Sequence, residues 1–419
     1  MLDKSKTYAY DSRKIKKGDH FICLPNGDKY INEALNKGAV DVINLSREEF
    51  ARHANYYFDY PTERVTLIGV TGTNGKTSVS YFVSQLLEQF GYNVLVIGTI
   101  TNELTTPESW DILNQISRHI EFGGTHVVLE VSSHGIDQKR VLGFEFDIKC
   151  LTNITQDHLD YHKTFDAYKK TKLSFMEQYP GKSIYVEQLS EVDSSLFPQI
   201  QGDFHTKNIS AAFEICCQIG MPAADLNQFL SKLIPPKGRF EALNIGQPFH
   251  VVIDFAHTPE ALKIILENAQ KLKSSSRNKC ILVFGCGGDR DKLKRPIMGG
   301  IANDNCDLTI ISSDNSRSES TKEIIQDIQN GMSEESSIVI EDRQAAIRHA
   351  IQLAKSGDIV IIAGKGHESR QYENGYSFQF NDHDITLFEL LNHSEDWKTK
   401  WSVDTIDENP DVIFINKNN

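Results

Sequence analysis

The stretch that most constrains the fold is GVTGTNGKTSV, residues 69–79, a glycine-rich turn joining an apolar run at 65–70 to a helical pattern. In such a turn the loop N–H groups at a helix N-terminus surround phosphate oxygens, a lysine neutralises them and a hydroxyl ligates Mg²⁺. Lys76 and Thr77 fill the last two positions, and Gly72, Thr73, Asn74, Gly75 and Ser78 complete the loop. The general pattern G-x-x-x-x-G-K-[ST] is not met in full, because Val70 stands where the first glycine belongs. Gly72 and Gly75 carry the turn instead.

The loop sets the organisation around it. A helix over 78–90 stops at Gly91, and the apolar run NVLVIGT follows, which makes a βαβ opening and implies a parallel sheet. HVVLEVSS (126–133) and FDIKCLTNI (146–154) read as further buried strands. Residues 193–202 are irregular, then KNISAAFEICCQIG resumes a helical period. IPPKGRFE (234–241) has the proline pair and glycine of a hinge. Beyond it, FHVVIDFA, KCILVFGC, CDLTIISSD, SSIVIED and DIVIIAG alternate with helical segments, the pattern of a second doubly wound α/β domain. Ahead of the loop, residues 1–62 form a small unit with one strand (HFICLPN) and one short helix (INEALNKGA). The expected division is 1–62, 63–236 and 237–393, with a polar tail at 394–419 to which no role is assigned.

A chain of 419 residues is long for one core, in keeping with two or three domains. The formal charge of −13 argues against a general nucleic-acid or anionic-membrane surface. No apolar stretch is long enough to span a bilayer and the N-terminus lacks the apolar core of a signal peptide, so a cytoplasmic protein is expected. The seven cysteines are odd in number, include no C-x-x-C pair and read as reduced, mostly buried thiols.

Several segments place polar groups just past strands, where ligands of such sheets bind. Glu130 ends an apolar strand, where an unpaired carboxylate is costly to bury, and it is expected to face a cation. TNITQDHLDYH carries His158 and His162 four residues apart, which leaves zinc open, although Leu159 stands where a zinc protease would have glutamate. In DAYKKTKLSF one of Lys169, Lys170 and Lys172 could be functional, and spacing alone does not choose among them. After the hinge, FGCGGDRDKLKRP offers turn glycines and a basic pair, and SSDNSRSE and AGKGHES bring Asp314, Asn315, Arg317, Lys365, His367 and Glu368 to strand ends. An arginine there suits bidentate recognition of a carboxylate.

Together YDSRKIKKGD, TTPES, EVSSHGIDQKRV, TNITQDHLDYH, GRFE, DFAHTPEAL, FGCGGDRDKLKRPIMG and GKGHE resemble the motifs of the Mur ligase family, ATP-dependent amide ligases of peptidoglycan precursor synthesis. They run in order from residue 10 to about 370. The family's phosphate loop is of the TGTNGKT kind, which accounts for the missing first glycine. The resemblance is greatest to the branch that adds the third residue, a diamino acid, to UDP-N-acetylmuramoyl-L-Ala-D-Glu. It implies an α/β protein of three domains: a small N-terminal α/β domain for the UDP-sugar, a central P-loop ATPase-like parallel-sheet domain for ATP, and a C-terminal Rossmann-like domain for the amino acid. It also implies a cytoplasmic monomer acting on small molecules, with neither a nucleic acid nor a membrane as partner.

Residue by residue, the resemblance implies that Lys76 and Thr77 hold phosphates and a first Mg²⁺, with Glu130 as a further ligand. His158 would help bind a second Mg²⁺, and Lys172 matches the family's carbamylated lysine. Ser12 would contact UDP, and Thr105, Thr106, Ser132, Gln138 and Arg140 the muramoyl-dipeptide. Asn208, Arg239, Asp254 and His257 match positions near ATP. Arg295, Asp314, Asn315, Arg317, Gly364 and Glu368 match the pocket for meso-diaminopimelate, which is favoured over L-lysine because lysine would leave Arg317 unpaired. The chain departs from the family in a shortened N-terminal unit, abbreviated stretches at 100–105 and 181–202, His205 where asparagine is usual, and Ser316 where the pocket motif has proline. Rival readings are a folylpolyglutamate synthetase-like or other specialised relative, a simple ATPase and a binding module without activity.

Overall fold

The computed structural model describes residues 1–333, 337–373, 375–393, 401–405 and 413–417. The chain folds into two compact units. The first comprises Met1–Gln156, Thr164–Leu196 and Lys207–Leu233. The second comprises Asp157–Lys163, Phe197–Thr206 and the described residues from Ile234 onward.

The first unit holds two parallel sheets. Strands Tyr8–Ala9, His20–Cys23 and Asp41–Asn44 pair side by side. The larger sheet runs Val94–Ile97, His126–Glu130, Thr66–Thr71, Ile148–Leu151, Lys182–Tyr185, all parallel. Thr66–Thr71 therefore lies at the centre of five strands, so the phosphate loop leaves from the middle of the sheet. Helix Lys76–Gln89 starts at Gly75 and buries Val79, Phe82, Val83, Leu86 and Leu87, the i, i+3, i+4, i+7, i+8 stripe expected of a helix packed on a sheet.

Helix Ser109–Glu121 was not anticipated from the sequence, although Ile112, Ile116 and Ile120 carry its period. Ile112, Leu113 and Ile116 are buried in the core of the larger sheet. At its start, Trp110 sits among Tyr8, Phe50, Tyr57 and Phe58 of the N-terminal unit, with ring centroids 4.7 Å from Tyr57 and 4.9 Å from Phe58. Asp111 accepts from the Tyr10 hydroxyl beside it, and Arg47 reaches Glu108 at 3.1 Å. One helix thus packs on both sheets of the first unit.

In the second unit the sheet order is Ser337–Val339, Leu308–Ile311, Cys280–Phe284, Ile359–Ala363, His250–Asp254, Glu241–Ala242, with only the last strand antiparallel. The five parallel strands are the five apolar runs read from the sequence; the short edge strand begins at Glu241, the last residue of the segment read as a hinge. Cys280, Leu282 and Phe284 face one core, and Ile281 and Val283 the other. A strand buried on both faces has no polar side to show, so its sequence is continuously apolar. Within the tail, Trp401–Thr405 and Ile413–Lys417 pair as antiparallel strands, a regular element in a segment read from the sequence as polar with scattered aromatics; the rest of the tail lies outside the described residues.

Candidate active site

The phosphate loop is held from below by the strand next to it. Gly75 has a left-handed φ of +85°, and a Cβ at Gly72 would collide with the Thr152 hydroxyl, so the loop needs glycine at both positions. Thr73 N–H donates to the Asn153 carbonyl and Asn74 N–H to the Asn153 side chain, both at 2.9 Å. Thr152 Oγ1 donates to the Asn74 carbonyl at 2.6 Å. The Lys76 ammonium folds over the loop onto the carbonyls of Gly72 and Thr73, each at 2.8 Å. The first turn of the helix thus presents Lys76, Thr77 and Ser78 where an anion would sit.

Glu130 is the centre of the neighbouring polar group. Its carboxylate, 1% exposed, accepts from Thr77 Oγ1 at 3.0 Å and from the Thr99 N–H and hydroxyl at 3.1 and 3.0 Å. Thr105 Oγ1 is 3.0 Å from the Thr99 hydroxyl. Thr106 Oγ1 donates to the Glu130 carbonyl at 2.8 Å and accepts from Ser132 N–H at 2.8 Å. Arg140 donates to the Thr106 carbonyl at 2.6 Å and to Gln138 at 2.7 Å. Five residues expected at the acceptor substrate, Thr105, Thr106, Ser132, Gln138 and Arg140, are therefore one bonded group joined to Glu130. Oxygen donors from a hydroxyl and a carboxylate are the set Mg²⁺ prefers, so Thr77 and Glu130 fit that ion.

Among the three lysines, helix geometry separates one. Lys169 and Lys170 are exposed, whereas Lys172 is buried with its amine 2.8 Å from the Gly72 carbonyl and 5.0 Å from the Tyr168 ring centroid. Tyr168, one turn earlier, reaches the Thr73 hydroxyl at 2.8 Å. Asn208 comes to the same loop: a Cβ on Gly75 would lie 2.6 Å from its Oδ1. Ser12, in the turn after the first strand, donates to Glu33 at 2.8 Å.

In the second unit, Asp254 ends a strand and accepts from Phe240 and Ala256 N–H at 2.6 and 2.7 Å; burial pushes its carboxyl up to about 6. Arg239 lies over the Phe255 ring at 4.5 Å. Burial, reinforced by Lys294, pushes His257 down to about 4, so it is neutral at pH 7. His158 also belongs to this unit. It has a left-handed φ of 54° and lies 3.4 Å from Asp157, whose carboxyl is opposed by burial but held below its usual range by His158, His257 and Lys294. Among the described residues no group of three or more His, Cys, Asp and Glu side chains is placed to hold a metal.

Asn315 is central to the third polar group. Its side chain donates to Glu368 at 2.7 Å and accepts from Lys365 at 3.1 Å and from Tyr372 N–H at 3.0 Å. Asp314 is buried beside Gly364, where a Cβ would come within 2.7 Å of its carboxylate. Arg317 bonds through Nη1 to the carbonyls of Gly288 and Asn315 at 2.8 and 3.2 Å. Burial, and after it Arg290, pushes its guanidinium below its usual range. Two neighbouring guanidiniums repel each other, and an anion between them would relieve the repulsion. Nothing in the sequence sets Arg290 apart; it is one of several charges in GGDRDKLKR. Arg295, expected to contact the amino acid, is fully buried and bonded to Glu319 and Asp327.

Residues 70–212 match the Mur ligase middle domain and residues 238–366 the Mur ligase, glutamate ligase domain. The UDP-N-acetylmuramoyl-L-alanyl-D-glutamate--2,6-diaminopimelate ligase of Caldanaerobacter subterraneus is 35% identical over 92% of this chain and 95% of its own. The chain belongs to the Mur ligase family. A ligase of the same name from Aquifex aeolicus is 34% identical over 91% of this chain and 93% of its own. The alignment with the Caldanaerobacter relative runs over 461 positions, more than the 419 residues here, so this Mur ligase lacks segments that the relative carries. A solved structure of a UDP-N-acetylmuramoyl-L-alanyl-D-glutamate--2,6-diaminopimelate ligase matches with a TM-score of 0.57 and 28% identity, covering 92% of this chain and 95% of that one. The fold is also that of the MurF ligase from Thermotoga maritima solved in complex with ADP, with a TM-score of 0.62 at 16% identity over 96% of this chain and all of that one. No described helix of this Mur ligase is long and apolar enough to cross a membrane.

Proposed function

We propose that this Mur ligase adds meso-diaminopimelate to UDP-N-acetylmuramoyl-L-Ala-D-Glu with cleavage of ATP to ADP and phosphate. The observation that carries the reading is the bonded group beside the central strands of the larger sheet of the first unit, in which Thr77 of the phosphate loop and the group from Thr105 to Arg140 meet at one buried carboxylate, Glu130. That arrangement suits transfer of the γ-phosphoryl group to an acceptor carboxylate.

The D-glutamate side-chain carboxylate attacks the γ-phosphorus, the bond to the ADP oxygen breaks, and an acyl phosphate forms. The amine of the incoming amino acid then attacks the acyl carbon, phosphate leaves, and the amine loses a proton as the amide forms. The protein's part is positioning and charge neutralisation. The loop N–H groups and Lys76 hold the phosphates; Asn208, Arg239, Asp254 and His257 hold the nucleotide; Ser12 contacts UDP. Thr105, Thr106, Ser132, Gln138 and Arg140 orient the dipeptide. When bound, Mg²⁺ would neutralise charge on the transferring phosphoryl group; Thr77 and Glu130 would hold one ion, and His158 and a carbamylated Lys172 are the groups assigned to a second. A carbamate on Lys172 would turn a cation beside the phosphate loop into an anion, which suits a metal site. Arg290 and Arg317, with Asp314, Asn315, Gly364 and Glu368, take the amino acid, and the distal carboxylate of diaminopimelate is the group the two arginines suit. Seven free cysteines suit a reducing compartment, so we assign the reaction to the cytoplasm, with the chain acting as a monomer.

The test is phosphate release from ATP and Mg²⁺ with UDP-N-acetylmuramoyl-L-Ala-D-Glu and either meso-diaminopimelate, L-lysine or no amine. Release is expected to require the dipeptide and to be strongest with meso-diaminopimelate. Equal turnover with L-lysine would remove the pocket assignment, and release without acceptor or amine would make the protein an ATPase.

A further inference from the structure

Arg290 and Arg317 sit on backbone that is unfavourable by itself. Asp289, just before Arg290, and Arg317 both have φ of 53°, in the left-handed region that non-glycine residues avoid. Such conformations persist only where surrounding bonds over-determine them. Here the bonds converge on Glu319. One carboxylate oxygen accepts from Asp289 N–H at 2.6 Å, while Asp289 in turn accepts from the Ser318 hydroxyl at 2.7 Å.

Glu319 is fixed by Arg295. The buried fork donates to both Glu319 oxygens at 3.0 and 3.1 Å, to Asp327 at 2.9 Å and to the Gly287 carbonyl at 3.3 Å. From its own helix, Lys294–Asn305, Arg295 thus ties together the GGDR turn, the turn after strand Leu308–Ile311 and helix Thr321–Gln329. Lys292 adds a contact to Glu319 at 2.9 Å. The paired, hydrogen-bonded guanidinium holds the Glu319 carboxyl down to about 2, so it is ionised throughout the physiological range.

We propose that Arg295 and Glu319 are positioning residues: they lock the two turns that carry Arg290 and Arg317 at the separation that grips a carboxylate of the incoming amino acid, and do not touch it. The inference rests on the proposed amino-acid pocket. It has a sign that distinguishes it from a charge effect. Removing the Glu319 anion would strengthen binding of a carboxylate if charge alone mattered; losing the lock weakens it.

The experiment is steady-state kinetics of Glu319→Gln, varying each substrate in turn, with Arg295→Lys as a second variant that keeps the charge but loses the fork. The KM for meso-diaminopimelate is expected to rise at least tenfold, since misplacement of about 1 Å can cost on the order of a hundredfold. The KM values for ATP and the UDP-dipeptide should stay within about twofold, which general destabilisation would not produce. In an Arg290→Ala/Arg317→Ala background, Glu319→Gln should add little, because it acts through those groups. A lowered or unchanged KM for the amino acid in Glu319→Gln, a rise shared by all three substrates, or full additivity in the arginine-free background would overturn it. If the arginine-free protein itself uses meso-diaminopimelate as well as wild type, it is the pocket that is wrong.

Discussion

Lys172 shows what a single residue can and cannot convey. Three lysines within four positions look alike in sequence, and only the family resemblance singled one out; in the fold, Lys172 alone turns inward, one turn after Tyr168, onto the phosphate loop. A carbamate on that amine would put an anion in place of a cation beside the Gly72 carbonyl. Lys172→Ala is expected to abolish ligation almost completely, with no recovery on adding bicarbonate, as measured by phosphate release. Substantial activity in that variant would remove the carbamate role. Arg290 and Arg295 teach the converse lesson. They are five residues apart in one basic stretch, and nothing in that stretch tells which guanidinium is open and which is enclosed by Glu319 and Asp327.

At the scale of elements, helix Ser109–Glu121 carries the most consequence for its length. Its apolar face completes the core of the larger sheet, while Trp110 fills the aromatic cluster under the N-terminal strands. Trp110→Ala should lower stability by on the order of 3 kcal/mol, from lost ring contacts and the void left behind. A urea denaturation curve checks this, and an unchanged midpoint would mean that the cluster does not hold the N-terminal strands. The period of this helix is present in the sequence as Ile112, Ile116 and Ile120, but it lies between a short loop and a strong strand signal that obscure it. The strands were plainer. Five apolar runs after the hinge became five parallel strands because burial on both faces leaves one kind of side chain to use.

For the whole molecule, acid stability follows from histidine burial. His205 is fully buried, and burial pushes it down to about 4. A depressed histidine contributes stability that is complete above its unfolded value near 6.5 and is lost as pH falls toward 4, because the unfolded chain takes up the proton first. Relative to His205→Asn, the wild-type protein should therefore lose on the order of 3 kcal/mol between pH 7 and pH 4. The buried Asp254, with its raised value near 6, acts in the opposite sense but is common to both proteins and cancels. Denaturant midpoints of the pair at pH 7, 5.5 and 4.5 test this; parallel curves would mean that His205 takes up its proton as readily in the folded state as in the unfolded chain.

The sequence by itself determined the parallel α/β sheets, the phosphate loop between strand and helix, and the carboxyl ends of strands as the place for chemistry. Those features depend on neighbours a few residues apart: alternation along a strand, the reach of a turn, the first N–H groups of a helix. The tertiary structure alone decided what depends on distant partners. It joined Asp157–Lys163 to the second unit, where Asp157 faces His257 and Lys294. It gathered Thr105 to Arg140 around Glu130, and it separated the arginine that meets solvent from the one that holds it in place. Burial and ion pairing are properties of groups brought together from far along the chain, and no local pattern records them.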